Sequence, residues 1–201
     1  MFDAQNPDAQ YGRADYDVRQ RLAIDAVWKT PTIGEGIVRQ AVRDWTFSPV
    51  MIFQSGGPFT VYTSAGYGVG DYNADGYDYD KPNRPSYGDH VHLSHSDFYN
   101  GGRIKVSDFP TPAAGTEGNL GRNTFDGPGY AVVNMAIQRS FQLPKLFDRG
   151  VFQLRGEFLN ALNRTNFNGV TCDLSNTTNF GKSTGQPFAA RQVQIVAHIR
   201  F

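Results

Sequence analysis

The sequence has little cysteine, no excess of either charge and no long hydrophobic run. A single cysteine, Cys172, excludes an intrachain disulfide framework. Basic and acidic residues number 19 each, so the net charge is zero and a basic field for binding nucleic acid is lacking. No apolar run approaches the about 20 residues of a membrane-spanning helix. The first residues are polar and acidic, unlike a signal peptide, so any export signal is expected upstream of them.

Aromatic residues and glycine, by contrast, are abundant. The chain has 15 Phe, 10 Tyr and 2 Trp, together with 22 Gly and 11 Pro among its 201 residues. Many aromatic side chains, frequent turn residues and short apolar runs are typical of all-β proteins. The composition therefore favours an all-β fold.

Five segments alternate between apolar and polar residues, which is the pattern of a strand with one apolar face. Near the carboxyl end, Val193 and Ile195 alternate with Gln192 and Gln194. The length of this segment suits a transmembrane β-strand of about 9–11 residues. A short stretch at 59–63 is either a sixth strand or an extension of the second. The predicted strands lie near residues 18–29, 44–63, 130–142, 151–162 and 190–201.

The connections between these strands alternate between short and long. Residues 30–43 and 143–150 are short, whereas 64–129 and 163–189 are long and rich in Gly, Asn, Asp and Tyr. Short periplasmic turns and long extracellular loops are characteristic of outer-membrane barrels. We therefore predict antiparallel up-and-down strands of a transmembrane β-barrel in the outer membrane of a Gram-negative bacterium. The chain would supply a partial barrel of about five to six strands with long extracellular loops.

Three stretches carry a resemblance to a known family. They are GNLGRNTFDGPGYAVVNMAIQRSF at residues 118–141, FQLRGEFLNALNRTNFNG at 152–169 and ARQVQIVAHIRF at 190–201. Together they resemble the carboxyl-terminal end of the β-barrel of TonB-dependent outer-membrane receptors. The resemblance is to the Oar-like type, whose members carry a carboxypeptidase-regulatory-like domain. The terminal Phe201 resembles the signal that the barrel-assembly machinery recognises in its clients.

The resemblance implies a barrel of about 22 strands that is plugged by a globular domain and energised by TonB. Neither the plug nor the segment that contacts TonB is found in these residues. The chain is therefore expected to be the carboxyl-terminal portion of a receptor, as a fragment, a truncated gene product or one part of a split protein. Alone it is expected to transport nothing. The whole receptor would take up a large substrate such as an oligosaccharide, a peptide or a chelate.

The same resemblance sets the expected partners. These are outer-membrane lipid, the rest of the barrel with its plug domain, the barrel-assembly machinery and, only through the missing amino-terminal parts, TonB. Nucleic acid is not expected among them, in keeping with the balanced charge.

The stretch GVGDYNADGYDYDKPNRP, residues 68–85, is similar to the first half of a calcium-binding loop. Oxygen ligands at alternate positions suit calcium, and Gly76 permits a sharp turn. Pro82 stands where the closing glutamate belongs, so an EF-hand is excluded. A weak calcium brace in an extracellular loop and a solvated acidic turn both remain open. The candidate ligands are Asp71, Asn73, Asp75, Asp78 and Asp80.

A second candidate metal site is the segment HVHLSHSD. It places His90, His92 and His95 close together, which suits zinc, copper or nickel. No second cluster supplies further ligands, so a polar surface loop is the alternative. No nucleophile, base and orienting acid stand in a recognisable arrangement. The sequence therefore predicts no enzyme and no cofactor other than calcium.

A soluble all-β module that binds a ligand or carbohydrate, with or without calcium, is the alternative function. The two hypotheses differ in the environment of the apolar strand faces. In a barrel these faces form a continuous belt against lipid, whereas in a soluble module they meet in a closed core. The side chains that decide between them are Leu22, Phe53, Ile137, Phe158 and Ile195.

Overall fold

A computed structural model describes residues 7–64, 70–76, 79–99, 102–143, 150–183, 185–186 and 189–201. The chain divides into two compact units. The first, here called the loop unit, consists of Met1–Gln20, Gln54–Tyr130 and Asn166–Pro187. The second, the sheet unit, consists of Arg21–Phe53, Ala131–Thr165 and Phe188–Phe201. Within the described ranges, no helix combines the length and apolarity needed to cross a bilayer.

The described residues form eight strands, two α-helices and two 3-10 turns. The helices are α1 (Gly36–Val42) and α2 (His95–Tyr99), and the 3-10 turns are Pro7–Gln10 and Val106–Asp108. The strands are β1 (Arg21–Asp25), β2 (Trp28–Lys29), β3 (Trp45–Gln54), β4 (Pro58–Phe59), β5 (Phe125–Asp126), β6 (Tyr130–Gln142), β7 (Val151–Leu159) and β8 (Gln192–Arg200).

The principal sheet follows the order of the chain. Its neighbours are β1, β3, β6, β7 and β8 in turn, with β2 also pairing to β3. The pairs β2–β3, β6–β7 and β7–β8 are antiparallel. Among the described residues, β1 and β8 stand at the two edges, so the sheet is not closed into a barrel. The predicted class, antiparallel up-and-down strands of a partial barrel, is confirmed.

The register of β6, β7 and β8 places most of their large apolar residues on one face. Ile137 lies opposite Gly156, which in turn lies opposite Ile195. Phe158 pairs with Val193 in the same alignment. Side chains directly opposite each other in an antiparallel pair point to the same side of the sheet. The other face carries the polar set Gln138, Ser140, Gln153, Arg155, Glu157, Gln194 and His198.

This apolar face does not close over a core. Leu22 is 54% exposed and Ile195 is 73% exposed, while Phe158 is half-buried. Burial of apolar surface is worth about 25 cal/mol for each Å², so a soluble protein would cover such a face. An exposed apolar face on an antiparallel sheet is instead what contact with lipid requires.

The strands differ in detail from the predicted segments. The first predicted strand, 18–29, is interrupted between β1 and β2, where Ala26 N donates to Pro49 O at 3.2 Å. Pro49 has no backbone N–H and cannot donate a hydrogen bond to β1 or β2, so the pairing of the strands is weakened at that point. The predicted turn 30–43 contains helix α1.

The second predicted strand, 44–63, ends at Gln54, and the short strand that follows it is separate. A Cβ on Gly56 would lie 1.8 Å from the carbonyl oxygen of Gly127, so the backbones touch there. Beyond this contact, β4 pairs with β5 in its own two-stranded sheet. Residues 58–59 therefore do not extend β3.

The loop unit has a hydrophobic core of its own. Phe109 packs edge-on against Phe125 and Phe180, with ring centroids 5.9 and 5.6 Å apart. The long connections expected between the strands thus fold together around buried side chains. The core residues are Val61, Val91, Leu93, Ile104, Phe109, Leu120, Phe125, Leu174 and Phe180.

Candidate functional site

A cleft of about 420 Å³ in the loop unit is the best-organised candidate site. Strand β4 and the residue that follows it supply Phe59 and Thr60 to its wall. Asp15, Arg122 and Asn123 supply charged and amide groups from distant parts of the chain. Apolar and polar groups therefore converge on one concave surface.

Asn123 organises the polar side of the cleft. It is 3% exposed and has a φ of 53°, a left-handed conformation that asparagine tolerates better than most residues. Its Nδ2 donates to Asp15 Oδ1 at 2.6 Å and to Arg13 O at 2.7 Å. Its backbone N donates to Thr60 Oγ1 at 2.8 Å, and that hydroxyl donates to Asn123 Oδ1 at 3.0 Å. Every polar group of the Asn123 side chain is thus engaged.

Asp15 presents a carboxylate at this surface. The hydrogen bond from Asn123, together with the bond and positive charge of Arg122, lowers the pKa of Asp15. Arg122 Nη2 lies 3.2 and 3.3 Å from the two carboxylate oxygens. The Asp15 side chain is 75% exposed, so the charged group remains accessible. It can accept hydrogen bonds from a ligand at neutral pH.

The rest of the described cleft lining includes aromatic residues and a cysteine. The ring of Phe59 lies 5.5 Å from that of Phe125, and Tyr62 lies 5.4 Å from Tyr79. Cys172 lines the same cleft, and burial raises its pKa to about 11. A thiol with that pKa stays protonated at neutral pH and is a poor nucleophile. The arrangement suits binding and offers no activated nucleophile from Cys172.

No pattern in the sequence indicated this cleft. The hydrogen-bonded pair Asp15 and Asn123 is separated by 108 positions, and Thr60 and Asn123 by 63. No local spacing can reveal contacts of that kind. The only hint was that Arg122 and Asn123 fall within the GNLGRN stretch on which the resemblance rested.

The acidic stretch forms a loop closed by its own backbone. Asp71 Oδ1 accepts from Asp75 N at 3.0 Å and Oδ2 accepts from Gly76 N at 2.9 Å. Asp80 Oδ2 accepts from the backbone N of Tyr72 at 2.5 Å and of Asn73 at 3.2 Å. These side chain–backbone hydrogen bonds stabilise the described part of the loop.

Asp80 is the buried member of this set. Burial raises its pKa, and the carboxylates of Asp75 and Asp71 add to that effect, although the two backbone hydrogen bonds oppose it. Asp78 lies outside the described residues. Among those that are described, no group of three or more His, Cys, Asp or Glu side chains could hold a metal. Calcium at this loop stays a prediction.

The three histidines have separate surroundings. His90 is largely exposed beside Asp89, with Nε2 3.6 Å from Oδ1. His92 is exposed and forms a β-bridge to Asp126. His95 begins α2 and places its ring 5.0 Å from that of Phe167. The transition-metal site stays a prediction, and nothing in these positions supports it.

The sheet unit contributes a polar face with a paired charge. Arg155 Nε lies 2.7 Å from Glu157 Oε1, and Arg155 Nη1 donates to Gln138 Oε1 at 3.4 Å. These side chains point away from the apolar face, as the strand alternation requires. In a barrel that is apolar outside, this face lines the interior.

An up-and-down antiparallel sheet with one exposed apolar face and one polar face is the arrangement found in transmembrane β-barrels. Residues 1–194 match the family described as "Outer membrane beta barrel domain", and the chain belongs to that family. The protein is therefore localised to the outer membrane, as predicted. The outer-membrane barrel is favoured over the soluble all-β module. Neither the comparison with curated proteins nor that with solved structures gave a match.

Proposed function

We propose that the chain forms strands of the barrel of a TonB-dependent receptor of the Oar-like type, which takes up a large substrate. The main support is the open sheet joined to a folded loop unit. Barrels need about eight strands or more to close, and the described sheet leaves β1 and β8 unpaired at its edges. Further strands that pair with these edges would complete a wide barrel, which suits transport of a large substrate.

The loop unit supports a receptor over a simple pore. Two of its segments connect strands along the chain, one joining β3 to β6 and the other β7 to β8. A core of buried side chains holds these segments in one arrangement. A fixed arrangement of this kind can recognise a ligand before it crosses the membrane, because rigid sites lose less entropy on binding.

Among the expected substrate classes, the cleft favours a hydroxyl-rich one such as an oligosaccharide. Phe59 and Tyr62 offer apolar ring surface, on which the apolar faces of sugar rings pack. Asp15 and Asn123 belong to a polar network with Arg122, and such networks recognise hydroxyl groups by hydrogen bonding. The charges of Asp15 and Arg122 cancel, and a site without net charge suits a neutral ligand.

The remaining parts of the proposal concern assembly. The exposed Phe201 would be read by the barrel-assembly machinery, and a plug domain and TonB would act through segments outside these residues. The chain then has a transport role and no enzymatic one. By itself it does not transport.

Uptake in living cells tests the proposal. Cells that carry the protein are compared with cells that lack it, each with and without TonB, for uptake of labelled oligosaccharides, peptides and ferric chelates. We expect one class to be taken up only when both the protein and TonB are present. Uptake that needs the protein but persists without TonB would contradict the proposal and indicate a passive pore.

Two variants test the cleft within the same assay. Asp15→Asn and Arg122→Gln each remove one charge from the cleft and should reduce uptake of the substrate class found. Asp8→Asn, at an exposed position in the first 3-10 turn, is the matched control and should leave uptake unchanged. Equal uptake by all three variants would exclude the cleft as a substrate site.

A further inference from the structure

Helix α1 exposes an unusual amount of apolar surface. Ile37 is 82% exposed and Val38 is 58% exposed, and Ile33 just before the helix is also exposed. No residue of α1 is buried. Large aliphatic side chains on a seven-residue helix normally face a protein core, because burial is what stabilises so short a helix. Something other than water must therefore cover them.

The end of α1 is attached to the apolar face of the sheet. The indole Nε1 of Trp45 donates to Ala41 O at 2.8 Å. Arg139 Nη1 donates to the same carbonyl at 3.4 Å, and its Nη2 donates to Gln40 O. Thr30 Oγ1 donates to Val42 O at 2.7 Å. These donors satisfy the carbonyl groups that a helix leaves free at its carboxyl end.

Both Trp45 and Arg139 belong to the apolar face. Arg139 lies opposite Leu154 in the β6–β7 register, two residues from Ile137 on the same side of the sheet. Trp45 alternates in phase with Phe47, which lies opposite Trp28. The Arg139 guanidinium lies 5.5 Å from the centre of the Trp45 ring, so the two side chains emerge on the same side. Helix α1 is thus continuous with the surface that faces lipid.

An arginine on a lipid-facing surface locates the membrane boundary. The guanidinium also lies 4.8 Å from the Phe141 ring, so its charge is held between two aromatic rings. Arginine avoids the hydrocarbon and extends to the headgroup level, where aromatic side chains also concentrate. This end of the sheet, with the short connection 30–43, therefore lies at the membrane–water interface.

Basic residues accompany the apolar ones around α1. Lys29, Arg39 and Arg43 are exposed, whereas Glu35 and Asp44 supply the acidic groups of residues 29–44. Together with Arg139 the region carries a net positive charge. A short apolar segment flanked by basic residues is typical of helices that lie in the headgroup layer.

We propose that α1 is an interfacial helix that lies in the phospholipid headgroup layer of the leaflet at this end of the barrel. Ile33, Ile37 and Val38 reach the acyl boundary, and Arg39 and Arg43 contact headgroup phosphates. A protein partner is less favoured because the helix continues the lipid-facing surface. The inference rests on the family of outer-membrane barrels and is independent of TonB and of the transported substrate.

Depth-dependent fluorescence tests this placement. The full chain carries Cys172→Ala together with Ile37→Cys, is labelled with an environment-sensitive fluorophore and is reconstituted in phosphatidylcholine vesicles. Only the fraction that floats with the vesicles is measured. We expect blue-shifted emission, quenching by lipids that carry a spin label near the headgroup, and protection from aqueous iodide. Val38→Cys, labelled in the same way, should give the same result.

Ala114→Cys, in an exposed turn of the loop unit, is the matched control. Its label should be quenched by iodide and not by the spin-labelled lipid. If the labels at positions 37 and 38 behave like the label at 114, the interfacial placement is overturned.

The proposed contacts with headgroup phosphates are tested by changing the charge of the lipid and of the helix. Vesicles that also contain anionic phosphatidylglycerol should increase the lipid quenching at position 37 further. Arg39→Gln with Arg43→Gln should abolish this increment and leave the quenching in phosphatidylcholine largely intact. An increment that survives the double substitution would overturn the role of the two arginines.

Discussion

Thr60 and Asn123 are joined by two hydrogen bonds although they lie 63 positions apart in the sequence. The hydroxyl of Thr60 accepts from Asn123 N at 2.8 Å and donates to Asn123 Oδ1 at 3.0 Å. Both residues are buried. The pair holds the residue after β4 against the segment before β5, and both residues line the cleft.

Removing the Thr60 hydroxyl should destabilise the loop unit. Thr60→Val keeps the shape but leaves a buried N–H and a buried carbonyl group without partners, which costs about 1–3 kcal/mol. The measurement is the urea midpoint for exposure of the Cys172 thiol, which lies against the same core. Thr178→Val, at an exposed turn position, is the control and should leave the midpoint unchanged. Equal midpoints for both variants would contradict the prediction.

Cys172 should react slowly with thiol reagents in the folded protein. Its pKa is raised by burial to about 11, so about one thiol in a thousand is ionised at pH 8. Alkylation by iodoacetamide should therefore be much slower than at a cysteine introduced at exposed Ala114, and should accelerate in urea. Comparable rates at positions 172 and 114 without urea would show that the thiol is neither buried nor suppressed.

The charge on Asp80 should oppose stability at neutral pH. A carboxyl group whose folded pKa is raised stabilises the fold when protonated and loses that contribution as the pH rises through the folded pKa. Asp80→Asn keeps an acceptor for the Tyr72 and Asn73 N–H groups, so it should stabilise the loop unit at pH 7.

The difference between Asp80→Asn and the native protein should disappear towards pH 3.8, the ordinary pKa of the group. Urea unfolding across this pH range measures it. A variant that is less stable than the native chain at pH 7 would show that the Asp80 charge is stabilising.

Calcium titration tests the hypothesis for the acidic loop. If the loop holds calcium, tyrosine fluorescence should change and saturate at millimolar calcium, since extracellular sites bind at about 10⁻⁴–10⁻³ M. Asp75→Asn should weaken the response more than Asp108→Asn, a substitution outside the loop. No change up to millimolar calcium would leave only an acidic turn.

Gly56→Ala should disrupt the start of the loop unit. The new Cβ would lie 1.8 Å from the backbone oxygen of Gly127, and backbone cannot move aside as a side chain can. We expect a loss of at least about 2 kcal/mol in the unfolding free energy of the loop unit. Gly169→Ala is the matched control because no atom lies within 4 Å of its added Cβ. A Gly56→Ala protein as stable as this control would contradict the observed backbone contact.

The strands of the sheet could be predicted because apolar and polar residues alternate along them. This alternation follows from the sheet having one apolar face and one polar face. On β8 the apolar Val193 and Ile195 alternate with Gln192 and Gln194, and the two faces of the strand meet different surroundings. Such a strand must keep strict alternation, so its position can be read from the sequence. The break between β1 and β2 was not predicted, and it lies beside Pro49, which cannot donate to the ladder.

The loop unit was not predictable in the same way. Its core residues, such as Ile104, Leu120 and Leu174, are separated by polar and glycine residues and have no common period. They come together only through long-range contacts, as do Asp15 and Asn123 in the cleft. Helix α1 was missed because residues 30–43 were assigned to a short turn, although Ile37, Val38, Ala41 and Val42 share one face of a helix.

The pairing of β4 with β5 also bears on how the chain folds. Their pairing brings together the two ends of the long connection 55–129. Only residues 55–57 and 127–129 then lie between the β4–β5 pair and the strands β3 and β6. Loop-closure entropy rises by about 0.6 kcal/mol for each doubling of length, so this shortening is worth about 2 kcal/mol. If the loop unit folds first, β3 and β6 can pair like the strands of a short hairpin. Their pairing should then be fast, although they are far apart in the sequence.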